Sequence, residues 1–249
     1  MDCVAAAGRR YGLSFNWSKI EALPVRTEAA IPKPGGGTVV TKQNMIYLGS
    51  MIAADGRVAS ELGRRIGKAK AGFDKLRKVW AHSTLLASQK LRIYDACVVS
   101  KLVYGLHTAT LNKAERNRLD GFHARCLRRI LKIPPAYHSR VSNLTVLGRA
   151  HAHSLSSRLL RQQLLYLGQV ARRDDNDPVR CSIFRPGTFE SVPIGARRQG
   201  RPRHTWAGSV LKTAAAIAGS VENLRALLAG TAQADRAWRA AVHQYCTTI

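Results

Sequence analysis

The sequence predicts a mainly α protein: a basic helical bundle, with a small antiparallel β element before it and a helical tail after it. Three observations predict this. From about residue 62 to residue 245 apolar residues recur every three or four positions, the period of a half-buried helix. Short apolar runs set off by Pro and Gly occur before residue 55. Finally, 40 Lys and Arg stand against 15 Asp and Glu, net +25 on 249 residues, while hydrophobic residues still make up 45%. Such a chain has enough apolar surface to fold and presents its charge outside, toward a polyanion.

The charge divides the chain into three segments. Residues 1–55 carry 6 basic and 4 acidic side chains, 56–175 carry 24 and 7, and 176–249 carry 10 and 4. In the first, Val25, the Val39-Val40 pair and the run MIYLGSMI (45–52) surround the loop IPKPGGG, which reads as strands of a small antiparallel sheet. So few strands without a second layer read as a piece of a larger domain.

In the second segment Leu62, Ile66, Ala69, Phe73 and Leu76 form a helical stripe, with Arg64, Arg65, Lys68, Lys75 and Lys78 largely outside it. Ser88 is the expected cap of a second helix that carries Leu91, Tyr94, Val98 and Leu102 on one face. A third opens on Asn112 with Glu115 three residues on, the pattern of a capping box. Its stripe is Leu119, Phe122, Cys126, Ile130 and Ile133, its other faces carry Arg116, Arg118, Arg125, Arg128, Arg129 and Lys132, and Pro134-Pro135 stops it. A shorter helix follows Ser142, and a longer one runs from about Ser154 to Arg172. The last segment reads as a loop through Arg203, then helices near Trp206–Ala218, Val221–Leu228 and Thr231–Tyr245.

No apolar run approaches the roughly 18 residues that cross a bilayer, and no signal peptide is evident, so the expected location is intracellular, nuclear or cytoplasmic, with no membrane partner. Cys3, Cys97, Cys126, Cys181 and Cys246 include no Cys-x-x-Cys pair. They read as reduced, mostly buried thiols rather than a disulfide framework or a zinc ribbon.

Several residues carry two readings. Asp174-Asp175 follows a long helix and precedes Pro178, which favours a solvated helix end over a metal-binding pair. His123 and Cys126, three apart on one helix, lack a second pair to complete a metal site, and packing is the better reading. The same holds for His151 and His153. Trp206 and Trp238 lie on apolar stripes and read as core anchors rather than base-stacking platforms. The stretch RRQGRPRHTW (197–206) offers either a minor-groove hook or a phosphate-contacting loop. Gln199 stands where such a hook has arginine, which favours the loop, with Arg201 and Arg203 as its contacts.

Taken in order, several stretches resemble the reverse transcriptases of non-LTR (LINE-like) retrotransposons. GLSFNWSKIE (12–21) looks like motif D, and YLGSMIAADG (47–56) like the primer grip, with Tyr47, Leu48 and Gly49 as its core. ELGRRIGKAKAGFDKLRKVW, KLRIYDACVVSKLVYGLHTATL and RLDGFHARCLRRILKI resemble successive thumb helices, RLLRQQLLYLGQVARRDD the helix after them, and GRPRHTW with ADRAWRAAV the family's terminal pieces. The resemblance implies an organisation of palm edge (1–55), helical thumb (56–175) and basic loop with C-terminal helical tail (176–249).

What the resemblance implies for function is specific. In the family this transposable-element enzyme is an RNA-directed DNA polymerase that uses Mg²⁺ held by paired aspartates, and those precede motif D. Met1 falls after that point, so the expectation is a chain without the catalytic half of the palm, the fingers or an endonuclease. It is then no enzyme alone and takes no cofactor or small-molecule substrate. Lys19, at the motif D lysine, has nothing to protonate without metals and reads as a surface lysine. The expected role is to hold RNA and DNA by the backbone through Arg64, Arg65, Lys68, Lys75, Arg125, Arg128, Arg129, Arg201 and Arg203. The alternatives are a domesticated helical module that binds nucleic acid or protein, and a relic without function.

Overall fold

A computed structural model describes residues 2–25, 27–28, 30–33, 36–193 and 204–248. It is mainly helical with a small antiparallel sheet near the N-terminus. The chain divides into two compact units, 1–63 and 64–249.

The first unit opens with α1 (Asp2–Arg9), a helix that the sequence pattern did not suggest. Strands β1 (Glu21–Ala22) and β2 (Val40–Thr41) pair in parallel, not antiparallel as expected. The antiparallel element is the hairpin of β3 (Asn44–Tyr47) and β4 (Ser50–Ala53). MIYLGSMI thus folds back on itself at Leu48-Gly49, whose φ values of 47° and 80° suit the primed turns that match strand twist. Residues Ile46, Tyr47 and Leu48 are exposed, while Val39 and Ala53 are buried. The Glu61 carboxylate accepts the Met51 N–H at 3.0 Å.

Helix α2 (Ala59–Lys75) enters the second unit and leads to α3 (Arg77–Ala81). Trp80 stacks on Phe73, ring centroids 4.9 Å apart, and donates its indole N–H to the Phe73 carbonyl at 2.8 Å. Next comes α4 (Ala87–Tyr94), which starts one residue before the expected cap. Ser88 lies inside its first turn, and Gln89 reaches back to accept the Leu86 N–H instead. A wide π turn at Asp95–Val99 continues into α5 (Ser100–Val103). It carries the neighbours Val98 and Val99 inside together, followed by Leu102 and Val103, all buried.

Helix α6 (Lys113–Ile130) begins on the expected box: Asn112 Oδ1 accepts the Glu115 N–H at 2.9 Å, and Glu115 Oε2 accepts the Asn112 N–H at 2.8 Å. It ends before Ile133 and the prolines. Lys132 turns left-handed, φ 55°, and the Ile133 N–H bonds the Arg128 carbonyl at 2.9 Å, a Schellman ending. Beyond it lie α7 (Ala136–Ser139), α8 (Asn143–Arg149) and α9 (Leu155–Ala171), the last two capped by Ser142 and Ser154 as expected. Asp120 on α6 accepts from Ser156 N at 2.9 Å and Ser156 Oγ at 2.6 Å, which joins α6 to the start of α9.

The stretch expected as loop contains α10 (Pro178–Ile183), with Asp177 at its N-cap and Pro178 at the first helical position. Then come α11 (Trp206–Ala218), α12 (Val221–Leu228) and α13 (Ala232–Thr248). These pack with α9 around a core that includes Leu164, Leu167, Val210, Ala214, Leu228, Trp238 and Val242. Trp238 is fully buried and donates Nε1–H to the Leu164 carbonyl at 3.0 Å. Trp206 donates to the His107 carbonyl at 2.7 Å, and its ring meets Tyr166 edge-on. Both tryptophans are therefore packing anchors.

Gly168 is what lets α13 come this close. A Cβ there would lie 2.5 Å from two atoms of the Trp238 indole. Gly168→Ala is expected to lower stability by about 2 kcal/mol through overpacking, although alanine in an open helical site gains up to ~1 kcal/mol. Gly72→Ala on α2, where a Cβ meets nothing within 4 Å, is the control that should show that gain. Urea unfolding of both variants at neutral pH measures the contrast.

Candidate nucleic-acid interface

The basic residues separate into two populations with opposite environments. Arg65, Lys90, Arg128 and Arg180 are buried, each no more than 6% exposed. Arg65 donates to the Lys101 carbonyl at 3.2 Å and lies over the Tyr104 ring. Arg128 donates to the Pro134 carbonyl at 3.2 Å, to the Val141 carbonyl at 2.6 Å and to Asn143 Oδ1 at 3.1 Å, and so ties down the chain after α6. Arg65 and Arg128 therefore do not serve as surface phosphate contacts, contrary to expectation. The helical period places both toward the interior, where their long stems pack and their heads meet carbonyls.

The other expected contacts lie outside. Lys68 and Lys75 are exposed and Arg64 is half-buried, at α2 positions spaced four and seven apart. Arg118, Arg125 and Arg129 are exposed on α6, and Lys132 is exposed in the turn just beyond its end. Arg118, Arg125 and Arg129, spaced seven and four apart, form one cationic row that flanks the apolar face. Arg118 and Lys132 were not among the expected contacts, but the spacing of Arg118 to Arg125 and Arg129 was available in the sequence.

Arg129 brings the two stripes to one edge. It pairs with Asp74 of α2 at 3.2 Å, and its guanidinium lies 5.8 Å from the Phe73 ring centre. Asp74, next to Lys75 near the end of α2, is thus the point where α2 is tied to α6.

Other candidates fall elsewhere. Lys19 is exposed in the turn before β1, where Asn16 Oδ1 accepts from the Ser18 N–H and hydroxyl. Tyr47, Leu48 and Gly49 form the exposed tip of the β3–β4 hairpin. Arg201 and Arg203 lie outside the described residues, so the choice between hook and loop for RRQGRPRHTW is not addressed by the structure. Asp175 pairs with the buried Arg180 at 2.7 Å, and Asp174 accepts the Asn176 N–H, the turn expected at a helix end. All five cysteines are free, but Cys3 and Cys181 are exposed and Cys97 half-buried, so fewer are buried than expected. Among the described residues no group of His, Cys, Asp and Glu is arranged to hold a metal, and no helix is long and apolar enough to cross a membrane.

His123 and Cys126 meet through Tyr94. The Tyr94 hydroxyl lies 2.9 Å from His123 Nδ1, and the two rings stack. Burial pushes the Tyr94 phenol far up, the Cys126 thiol up to about 12 and the His123 imidazole down to about 4, so all three are neutral at pH 7. An imidazole nitrogen accepts better than a thiol sulfur, so the phenol O–H is assigned to Nδ1 and the ring proton to Nε2. Nε2 is buried without a hydrogen-bond partner. The His153 carbonyl is near enough to bias the ring toward protonation but makes no bond of ordinary geometry with it.

No family model matches this sequence, and neither a curated protein nor a solved structure is similar to it.

Arg128→Gln should lose about 2 kcal/mol of stability, since the Pro134 and Val141 carbonyls would lose their donor, whereas Arg129→Gln at the surface should stay within about 1 kcal/mol of the parent. Thermal and urea melts of the two variants check this. The pH response arises from His123. Its folded-state pKa of about 4 lies below its ordinary 6.5, so the unfolded chain binds the proton first as pH falls. The contribution is present in full above pH 6.5 and is lost toward pH 4, at most roughly 3 kcal/mol. His123→Phe should flatten that part of the stability curve measured between pH 7 and pH 4.

Proposed function

We propose that the chain is a nucleic-acid-holding element of the non-LTR reverse transcriptase kind, with the 64–249 unit acting as thumb and tail. It grips the backbone of RNA and DNA without reading sequence. The observation that carries this reading is the pair of cation rows, the exposed Lys68 and Lys75 with the half-buried Arg64 on α2, and the exposed Arg118, Arg125 and Arg129 on α6 with Lys132 just beyond it, linked by the Asp74–Arg129 ion pair. A net charge of +25 adds a long-range field that draws a polyanion in before any contact forms. The family assignment is supported by the ordered motifs from GLSFNWSKIE to ADRAWRAAV and by the exposed Tyr47–Gly49 hairpin tip at the primer-grip position. Polymerisation is not proposed for these residues, because the family's metal-holding aspartate pair has no counterpart in the motifs they contain.

The test is binding measured by fluorescence anisotropy on mixed-sequence and A·T-rich duplexes from low to moderate salt. Affinity should be nearly indifferent to sequence and fall with salt, with a log–log slope of roughly 0.7–0.9 per phosphate engaged. Replacing Arg118, Arg125, Arg129 and Lys132 with Gln should reduce both affinity and slope, while the protein keeps its melting temperature to within a few degrees. An unchanged slope would remove the α6 stripe from the interface. With primed RNA, Mg²⁺ and nucleotides the chain should extend nothing; extension above a mock purification overturns the non-catalytic assignment.

A further inference from the structure

Within the second unit, α4, α6, α9 and α13 enclose a pocket of about 490 Å³, inside the ~300–1,000 Å³ range of small-ligand sites. None of the stripe residues lines it, so a ligand bound there does not depend on the function proposed above. Its deep wall includes the buried Tyr94, His123, Leu127, Ala150, Leu155 and Cys246. Its mouth carries the exposed Arg92, Arg161, His151, His153 and His243, together with the half-buried Arg158.

The two ends of the pocket have different chemistry. At the mouth, the carboxylate of Asp95 is engaged by Arg158, whose Nη2 donates to Oδ2 at 3.3 Å. Arg92 and Arg161 form no ion pair among the described residues, which leaves two guanidinium groups at the polar mouth of a cavity whose deep wall is largely apolar. At the wall, His123 is 5% exposed, and its Nε2 is a buried ring nitrogen with no hydrogen bond of ordinary geometry, the His153 carbonyl being its nearby backbone neighbour. A buried N–H without an acceptor costs on the order of 1–3 kcal/mol, and a ligand that supplies the acceptor recovers it. The four histidines around the cavity do not form a metal-holding group.

These features select among ligands. A lone phosphate would answer the arginines but leave the wall empty. A fatty acid would fill the wall and answer the arginines, yet leave Nε2 unsatisfied. A ligand with a flat heterocycle that bears acceptor atoms and with one phosphate answers all three demands, since guanidinium pairs with phosphate through two donors. We propose that this pocket binds a nucleoside monophosphate, either free or as the 5′-terminal residue of a strand, with its heterocycle toward His123 Nε2 and its phosphate at Arg92 and Arg161. The sequence alone suggests no small-molecule ligand because the pocket forms only when residues 91–161 and 243–247 are brought together.

The test is calorimetric titration of the full chain with AMP, with the His123 side-chain NMR signals followed in parallel. Saturable binding at one site with a shift of the His123 Nε2–H resonance is expected. R92A/R161A, which alters only exposed side chains, should weaken AMP by about tenfold or more while the melting curve is kept. Inorganic phosphate should compete at least about tenfold less well than AMP, because it leaves the apolar wall unfilled. A 5′-phosphorylated oligonucleotide that displaces AMP where its 5′-hydroxyl counterpart does not identifies a strand end as the source; AMP binding without that displacement identifies the free nucleotide. Octanoate binding as tightly as AMP, AMP binding that is unaffected in R92A/R161A, or no saturable AMP binding by the folded chain would each overturn the proposal.

Discussion

A shortage of carboxylates governs this structure. With 15 acidic side chains for 40 Lys and Arg, most cations have no carboxylate to pair with, and several interior ones are met by main-chain carbonyls. Many of those carbonyls sit at or near helix C-terminal ends, where acceptors are left over and the helix dipole is negative. Lys90 takes the carbonyls of Trp80 and His82 at the end of α3. Arg180 takes that of Ala171, the last residue of α9, and also pairs with Asp175. Arg172 takes the carbonyls of Gly168, Leu227 and Ala229 and also pairs with Asp235. These clamps tie helix ends to one another, Lys90 and Arg180 between neighbouring elements and Arg172 from the end of α9 to the end of α12 and to α13.

Such clamps explain why the bundle tolerates its charge. A buried cation bonded to two or three carbonyls has its donors satisfied without a second charge being desolvated, which avoids part of the cost of a buried ion pair. They also explain why basic residues on adjacent positions have unlike roles. Arg128 and Arg129 differ by one position on α6, yet one holds the chain after the helix and the other pairs with Asp74 at the surface.

How much was legible in the sequence depended on the kind of signal. Caps at Asn112, Ser142 and Ser154 and the bounds of α11 and α12 were readable because a polar cap before a periodic stripe is a local feature. The hairpin turn at Leu48-Gly49 was obscured by an unbroken apolar run, and the end of α6 by a left-handed lysine where glycine is usual. On the candidate surface, helical period alone separates Arg65 from Lys68, but which side faces inward depends on partners such as Lys101 and Tyr104, dozens of residues away. The unpartnered His123 nitrogen was not readable at all, since it exists only after Tyr94 has taken the other ring nitrogen.

The π turn at Asp95–Val99 gives the α4–α5 segment a response to length that a loop does not have. Each α-helical residue advances the side-chain direction by about 100°, and the wider turn takes up about one residue more than a regular turn between Tyr94 upstream and Leu102 downstream. Loss of one residue from this stretch would let the turn close to a regular helix with Leu102 and Val103 still directed to the interior. A residue lost from a regular turn of α4 or α5 has no such slack and would carry the side chains beyond it around by roughly 100°. Tolerance of a deletion in this segment is therefore set by angle rather than by reach, and it is greatest at the wide turn.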